Sequence, residues 1–266
     1  MIYKWNGSAW SGLLLAGFGI NYTSLAVDLA AKPYKLTVWV HGTNFKTLLP
    51  FSHSKFKQTK LEHFSELKLG SESYKRAICL ANQDQEQFPT KGFYLFRWPG
   101  RLSHKCRKAA GQVLFQELFN LIQKIQKSGN YQVHLTIIAH SYGGGVALEL
   151  AQQNVEKDYA IQIDRLVLLA CPVQDRLQKL VTCQTFKKIF TFYTTSDWLQ
   201  CLALHGWGAW SGRRFVSNYN LVHIQVDSLN WGFGHNSFKQ EGFLQNLPKT
   251  LTLLGLKWQA DLKLTV

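Results

Sequence analysis

Six short runs of this chain are almost unbroken in apolar, β-branched or aromatic residues: 36–40, 93–98, 133–139, 165–170, 189–194 and 221–226. A strand with one face in water alternates apolar and polar positions. These runs do not alternate, so they are expected as strands buried on both faces. Between them the period changes. Over 103–127, Val113, Leu114, Leu118, Leu121, Ile122 and Ile125 share one helical face, while Lys108, Gln112, Glu117 and Lys124 fall mostly elsewhere. A second helix is expected from Tyr142 to about Asn154. Strands alternating with helices imply parallel crossovers, and hence an α/β fold whose mostly parallel central sheet carries helices on both faces.

The segment 44–92 is too long to be a bare loop and is expected to hold one or two helices near the mouth of any site, as an insertion in a single domain spanning 1–266. The connection after the fourth run, 171–188, leaves little room for a cap. Ala-Trp-Ser-Gly occurs at 9–12 and again at 209–212, but nothing around the copies agrees, so no repeat is inferred.

Composition narrows the class. At 266 residues and 46% hydrophobic content, the chain has the makings of one large globular core. Its longest apolar run, 13–20, falls far short of the ~20 residues a spanning helix needs. One lysine precedes that run and no A-x-A-like site follows, so a hairpin or buried strand is expected there rather than a signal peptide. The five cysteines are odd in number, widely spaced and without C-x-x-C, which suggests neither a disulfide framework nor a zinc site and fits a reducing cytoplasm. The net charge of +14 would attract phosphate-bearing partners at long range. The lysines are dispersed rather than massed, which speaks against nucleic acid; peripheral contact with an anionic membrane, or simply a lysine-rich surface, fits better.

The chemistry is concentrated in 136–145, T-I-I-A-H-S-Y-G-G-G. A β-branched run leads into Ser141, flanked by Ala139 and Gly143, and then into a glycine cluster and a helix. A strand that turns this sharply into a helix needs small flanking residues and pushes the serine hydroxyl out at the end of the sheet. Ala139-His140-Ser141-Tyr142-Gly143 matches the G-x-S-x-G nucleophile elbow with alanine for the first glycine. Together with F-Y-L-F-R-W-P-G at 93–100 and the long helix after it, this stretch resembles the α/β-hydrolase superfamily of serine esterases and lipases, in a bacterial branch with an A-H-S-x-G elbow. The resemblance covers about 36–238. It implies the α/β-hydrolase fold and a serine-based apparatus, with no metal and no organic cofactor, and leaves the substrate open because the fold hosts many chemistries.

In that superfamily the acid and base follow the serine in the order Ser, Asp or Glu, His, each just beyond a strand. Asp197 comes directly after the run ending at Thr194, and His235 follows the run 221–226 in a loop reading N-W-G-F-G-H-N-S-F. Asp175 also follows a strand and stays open as the acid, with Asp197 favoured; Asp227 lies too close to His235. Among the other histidines, His223 falls inside a strand and His205 precedes a Trp-rich loop, so His235 is favoured as the base.

The oxyanion hole needs two backbone N–H groups. One is expected from Tyr142, the other from Thr43 or Asn44, in the loop V-W-V-H-G-T-N after the first strand. His41, Trp98 and Trp210 are candidate substrate-binding residues. Gly17-Phe18-Gly19 lacks the strand and third glycine of a dinucleotide fingerprint. The expected function is a serine hydrolase cleaving carboxylic esters, including lipid esters. A thioesterase or acyltransferase with the same triad is one alternative. A non-catalytic module binding anionic membrane or nucleic acid is the other.

Overall fold

The computed structural model describes residues 31–43, 59–158, 160–197, 199–200, 213–227, 234–256 and 261–265. All of them belong to one compact unit, Ala31–Val266. The apolar run 13–20 lies outside the described residues, as do Asn44, His205 and Trp210.

All six apolar runs are strands: β1 (Lys32–Val40), β3 (Phe93–Arg97), β4 (Tyr131–His140), β5 (Arg165–Leu169), β6 (Ile189–Tyr193) and β7 (Leu221–Asp227). Two more extend the sheet, β2 (Lys60–His63) and β8 (Asp261–Thr265), giving the order β2-β3-β1-β4-β5-β6-β7-β8. Among the described strands only β2 is antiparallel, at one edge.

Successive residues on one strand serve opposite layers, which is why the runs do not alternate. Val38 and Val40 of β1, Ile137 and Ala139 of β4, and Leu166 and Leu168 of β5 pack in one cluster with α2 (His104–Lys127) and α3 (Gly143–Val155). Trp39, Ile138, Val167 and Leu169 point the other way, into a cluster with α1 (Glu72–Gln83) and α5 (Glu241–Leu256). Helices therefore cover both faces of a mostly parallel sheet. This is an α/β fold built on a mostly parallel central sheet.

The strand order creates the site. From β1 the chain moves outward to β3, then returns to the other side of β1 as β4, and from β4 it moves the opposite way to β5. Neighbouring parallel strands whose connections diverge leave a crevice at their carboxyl ends, the usual place for a ligand in such sheets. β1 and β4 pair along their whole length, from Lys32 opposite Tyr131 to Val40 opposite Ala139. The turn beginning at His41 thus emerges beside the turn beginning at Ser141.

The segment expected to hold helical structure contributes β2, a 3-10 turn at Phe64–Glu66 and α1 within its described part. Ser71 caps α1, its hydroxyl accepting from the Tyr74 N–H at 3.3 Å. Among the described residues, no helix is long and apolar enough to cross a membrane.

Candidate active site

Ser141 stands between β4 and α3 with φ of +53°, a left-handed conformation that costs a residue with a Cβ about 1–3 kcal/mol. The turn is held by its neighbours: the Ser141 N–H donates to Leu169 O at 2.8 Å, tying it to the end of β5, and the Gly144 N–H donates to Ser141 O at 2.9 Å. Two glycines make the turn sterically possible. A Cβ on Gly143 would lie 2.5 Å from His41 O, and one on Gly42 would lie 2.8 Å from Ser141 Cβ. Backbone rather than flexible side chain blocks Gly143, so nothing there can yield cheaply.

His235 Nε2 lies 2.7 Å from Ser141 Oγ, and His235 Nδ1 lies 2.8 Å from Asp197 Oδ2. All three side chains are buried, Asp197 almost completely at 1% exposure. With Nδ1–H donated to the carboxylate, the Nε2 lone pair faces the hydroxyl. That is the arrangement in which imidazole can accept a proton as the serine oxygen attacks.

Each member is fixed by its own turn. Asp197 follows β6; its Oδ1 accepts the Gln200 N–H at 3.1 Å, and its carbonyl accepts from Arg213 Nη2 at 3.2 Å. Gln200 Nε2 also donates to Cys171 O at 2.8 Å, so the acid's turn is braced against the loop after β5. His235 sits in a tight turn closed by the Ser237 N–H to Gly234 O, 2.9 Å, and by the Gly234 N–H to Ser237 Oγ, 3.0 Å. The competing residues are elsewhere. Asp175 is exposed at the start of the short helix α4 (Asp175–Gln178). His223 is bonded within the sheet to Thr191 Oγ1 at 2.7 Å and Phe215 O at 3.0 Å.

Tyr142 precedes the first turn of α3, whose leading N–H groups have no partner inside the helix. Thr43 follows Gly42 beside Ser141, and its Oγ1 is buried with no hydrogen-bond partner among the described residues. His41 and Trp98 are engaged with each other: the Trp98 N–H donates to His41 Nε2 at 3.3 Å, and Trp98 Nε1–H donates to His41 O at 2.7 Å. The remaining ring nitrogen, Nδ1, donates to Gly42 O at 2.8 Å. In this structure the pair braces the turn after β1 from behind. Burial lowers the His41 pKa and keeps its ring neutral.

Two buried neighbours of these residues were not legible in sequence. His140 is fully buried, and its Nε2–H donates to His235 O at 2.9 Å. Burial first, then the nearby His235 and Lys239, push its pKa well below the ordinary histidine value. Arg107, on α2, is also buried and lies 4.9 Å from the centre of the Tyr142 ring. It donates to Leu102 O, and burial lowers its pKa to about 10. In sequence it sits within K-C-R-K, which looks like a solvated face.

No family model matches the chain, and no curated protein sequence matches it. Among solved structures it is similar to Aspergillus fumigatus lipase B, at 11% identity and a TM-score of 0.45 over 83% of this chain. The match takes in 52% of that lipase, so the chain spans about half its length. It is also similar to the iron-lacking apo form of ESTFA, at 10% identity and a TM-score of 0.35 over 89% of this chain and 66% of the other. A third, described as an esterase from Staphylococcus aureus, matches at 8% identity and a TM-score of 0.31 over 88% of this chain and 67% of the other.

Proposed function

We propose that this chain is a serine hydrolase that cleaves carboxylic esters through an acyl-enzyme. The single observation that carries the proposal is the unbroken series Asp197–His235–Ser141, with contacts of 2.8 and 2.7 Å converging on one buried hydroxyl. A serine hydroxyl needs a base to become nucleophilic, and the base needs an acid to hold its tautomer.

Ser141 Oγ attacks the ester carbonyl carbon as its proton passes to His235 Nε2. The charge that develops on the carbonyl oxygen is met by the Tyr142 N–H and by a donor from the turn after β1, the N–H of Thr43 or Asn44. The unpartnered Thr43 Oγ1 supports that side of the hole, since a buried hydroxyl left without a partner is costly. His235 then protonates the leaving alkoxide. Water enters, His235 removes its proton, and the hydroxide releases the acyl group as a carboxylic acid and restores Ser141.

Hydrolysis of short-chain p-nitrophenyl esters tests this. The expected result is turnover by the wild-type chain, falling by about 10⁶-fold towards the uncatalysed rate in Ser141→Ala. Equal rates in the two proteins would refute it.

A further inference from the structure

A cavity of about 800 Å³ lies between α1 and the segment 236–244. Asn236, the residue after His235, forms part of its wall. Its volume is in the range that holds a small organic ligand. Leu69, Tyr74 and Leu244 give it apolar surface. Its lining includes Arg76 on α1 and Lys239 at the end of the 3-10 turn that begins at Ser237.

Resting on the ester-hydrolase reading above, we propose that this cavity receives an oxyanion, a carboxylate or a phosphate, carried by the substrate and bound between Arg76 and Lys239. Arg76 is only 15% exposed, its guanidinium lies 5.6 Å from the centre of the Trp39 ring, and its buried Nε has no hydrogen-bond acceptor among the described residues. An unsatisfied buried donor is costly, and a planar oxyanion is the ligand that a guanidinium fork fits best. Lys239 is half-buried and makes no ion pair among the described residues. Burial and the neighbouring Arg76 both lower its pKa, so an anion between the two cations would relieve their repulsion.

The wall also carries Glu72, Lys75 and Glu241. Glu72 is 71% exposed and shared between Lys75 at 3.4 Å and Arg76 at 3.6 Å, and Glu241 is exposed. These exposed carboxylates are screened by water and salt, whereas Arg76 and Lys239 are more deeply buried. Both cations also act on the nucleophile's neighbourhood, since Lys239 and Arg76 each help to hold His140 neutral.

Two sources of the anion are separable. In the first pair, mono-p-nitrophenyl glutarate is compared with p-nitrophenyl valerate, which puts the charge on the acyl side. In the second, butyryl glycerol 3-phosphate is compared with butyryl glycerol, which puts it on the alcohol side. The wild-type chain is expected to favour the charged member of one pair by about ten-fold or more in kcat/KM, with the preference falling as salt rises. Lys239→Gln and Arg76→Gln should each cut that charged-to-neutral ratio about ten-fold, chiefly through KM, and Lys239→Arg should restore it. No preference in either pair, or a ratio that neither substitution moves, would overturn the proposal. If none of the four esters is turned over, the hydrolase reading fails on its own, and calorimetric titration of Ser141→Ala with glutarate and with inorganic phosphate decides the site. Binding near or below about 1 mM that Lys239→Gln abolishes sustains an oxyanion site, and no binding overturns it.

Discussion

His140 Nε2 donates its proton to the backbone carbonyl of His235 across 2.9 Å, with the two rings edge to face at 4.9 Å. The residue before Ser141 thus holds the loop that carries His235. Only a neutral ring in one tautomer can do this without placing a charge beside the triad, and burial keeps His140 neutral.

His140→Ala should therefore lower kcat by about 10- to 100-fold, with a much smaller change in KM, because a misplaced base costs the transition state more than the bound ester. Steady-state kinetics on a neutral p-nitrophenyl ester would check it; an unchanged kcat would show that the His235 turn holds itself.

Asp197→Asn should preserve the fold yet reduce kcat by about 10⁴-fold. An amide at that position can donate to Nδ1 and so stabilise the wrong tautomer, which carries its proton on Nε2 and has no lone pair there to accept the Ser141 proton. Asp175→Asn, at an exposed site away from His235, should have little effect. Comparable losses in both variants would contradict the assignment of the acid.

Sequence alone left Asp175 and Asp197 both open because each follows a buried strand by a few residues. What separates them is three-dimensional: the chain folds Asp197 inward against His235, with Gln200 bracing the turn through Cys171 O. The six central strands were legible because burial on both faces leaves unbroken apolar runs. β2, K-L-E-H at an edge, has no such run, and α5 is obscured by Pro248 in its interior and glycines near both ends. His140 and Arg107 were illegible for a different reason. Their roles depend on backbone carbonyls and a ring brought close only by the fold.

Gly42→Ala and Gly143→Ala should each destabilise the protein by about 1–3 kcal/mol, and Gly143→Ala should be the worse of the two. A methyl on Gly143 would meet two carbonyl oxygens, at 2.5 and 2.7 Å, whereas one on Gly42 first meets the Ser141 Cβ. Urea unfolding measures both; wild-type stability in Gly143→Ala would mean that the β1 and β4 turns do not approach so closely.

Stability should also fall as the solution is acidified through pH 6.5. His41 and His140 have folded pKa values below the ordinary histidine value of about 6.5, so below that pH the unfolded chain binds protons that the folded chain refuses. Their contribution is complete above pH 6.5 and is lost as pH drops, by up to about 1.4 kcal/mol per pH unit for each histidine. Urea midpoints measured between pH 7.5 and 5.5 should show this slope, and His140→Gln, which keeps a donor but cannot titrate, should flatten it. A flat wild-type profile in that window would rule out buried neutral histidines.

The central claim is that Ser141 is activated by His235, and covalent labelling with a fluorophosphonate probe tests it most directly. Labelling of the wild-type chain, none in Ser141→Ala and strongly slowed labelling in His235→Ala is the predicted result. Folded wild-type protein that resists the probe, or Ser141→Ala protein that labels as fast as wild type, would contradict it.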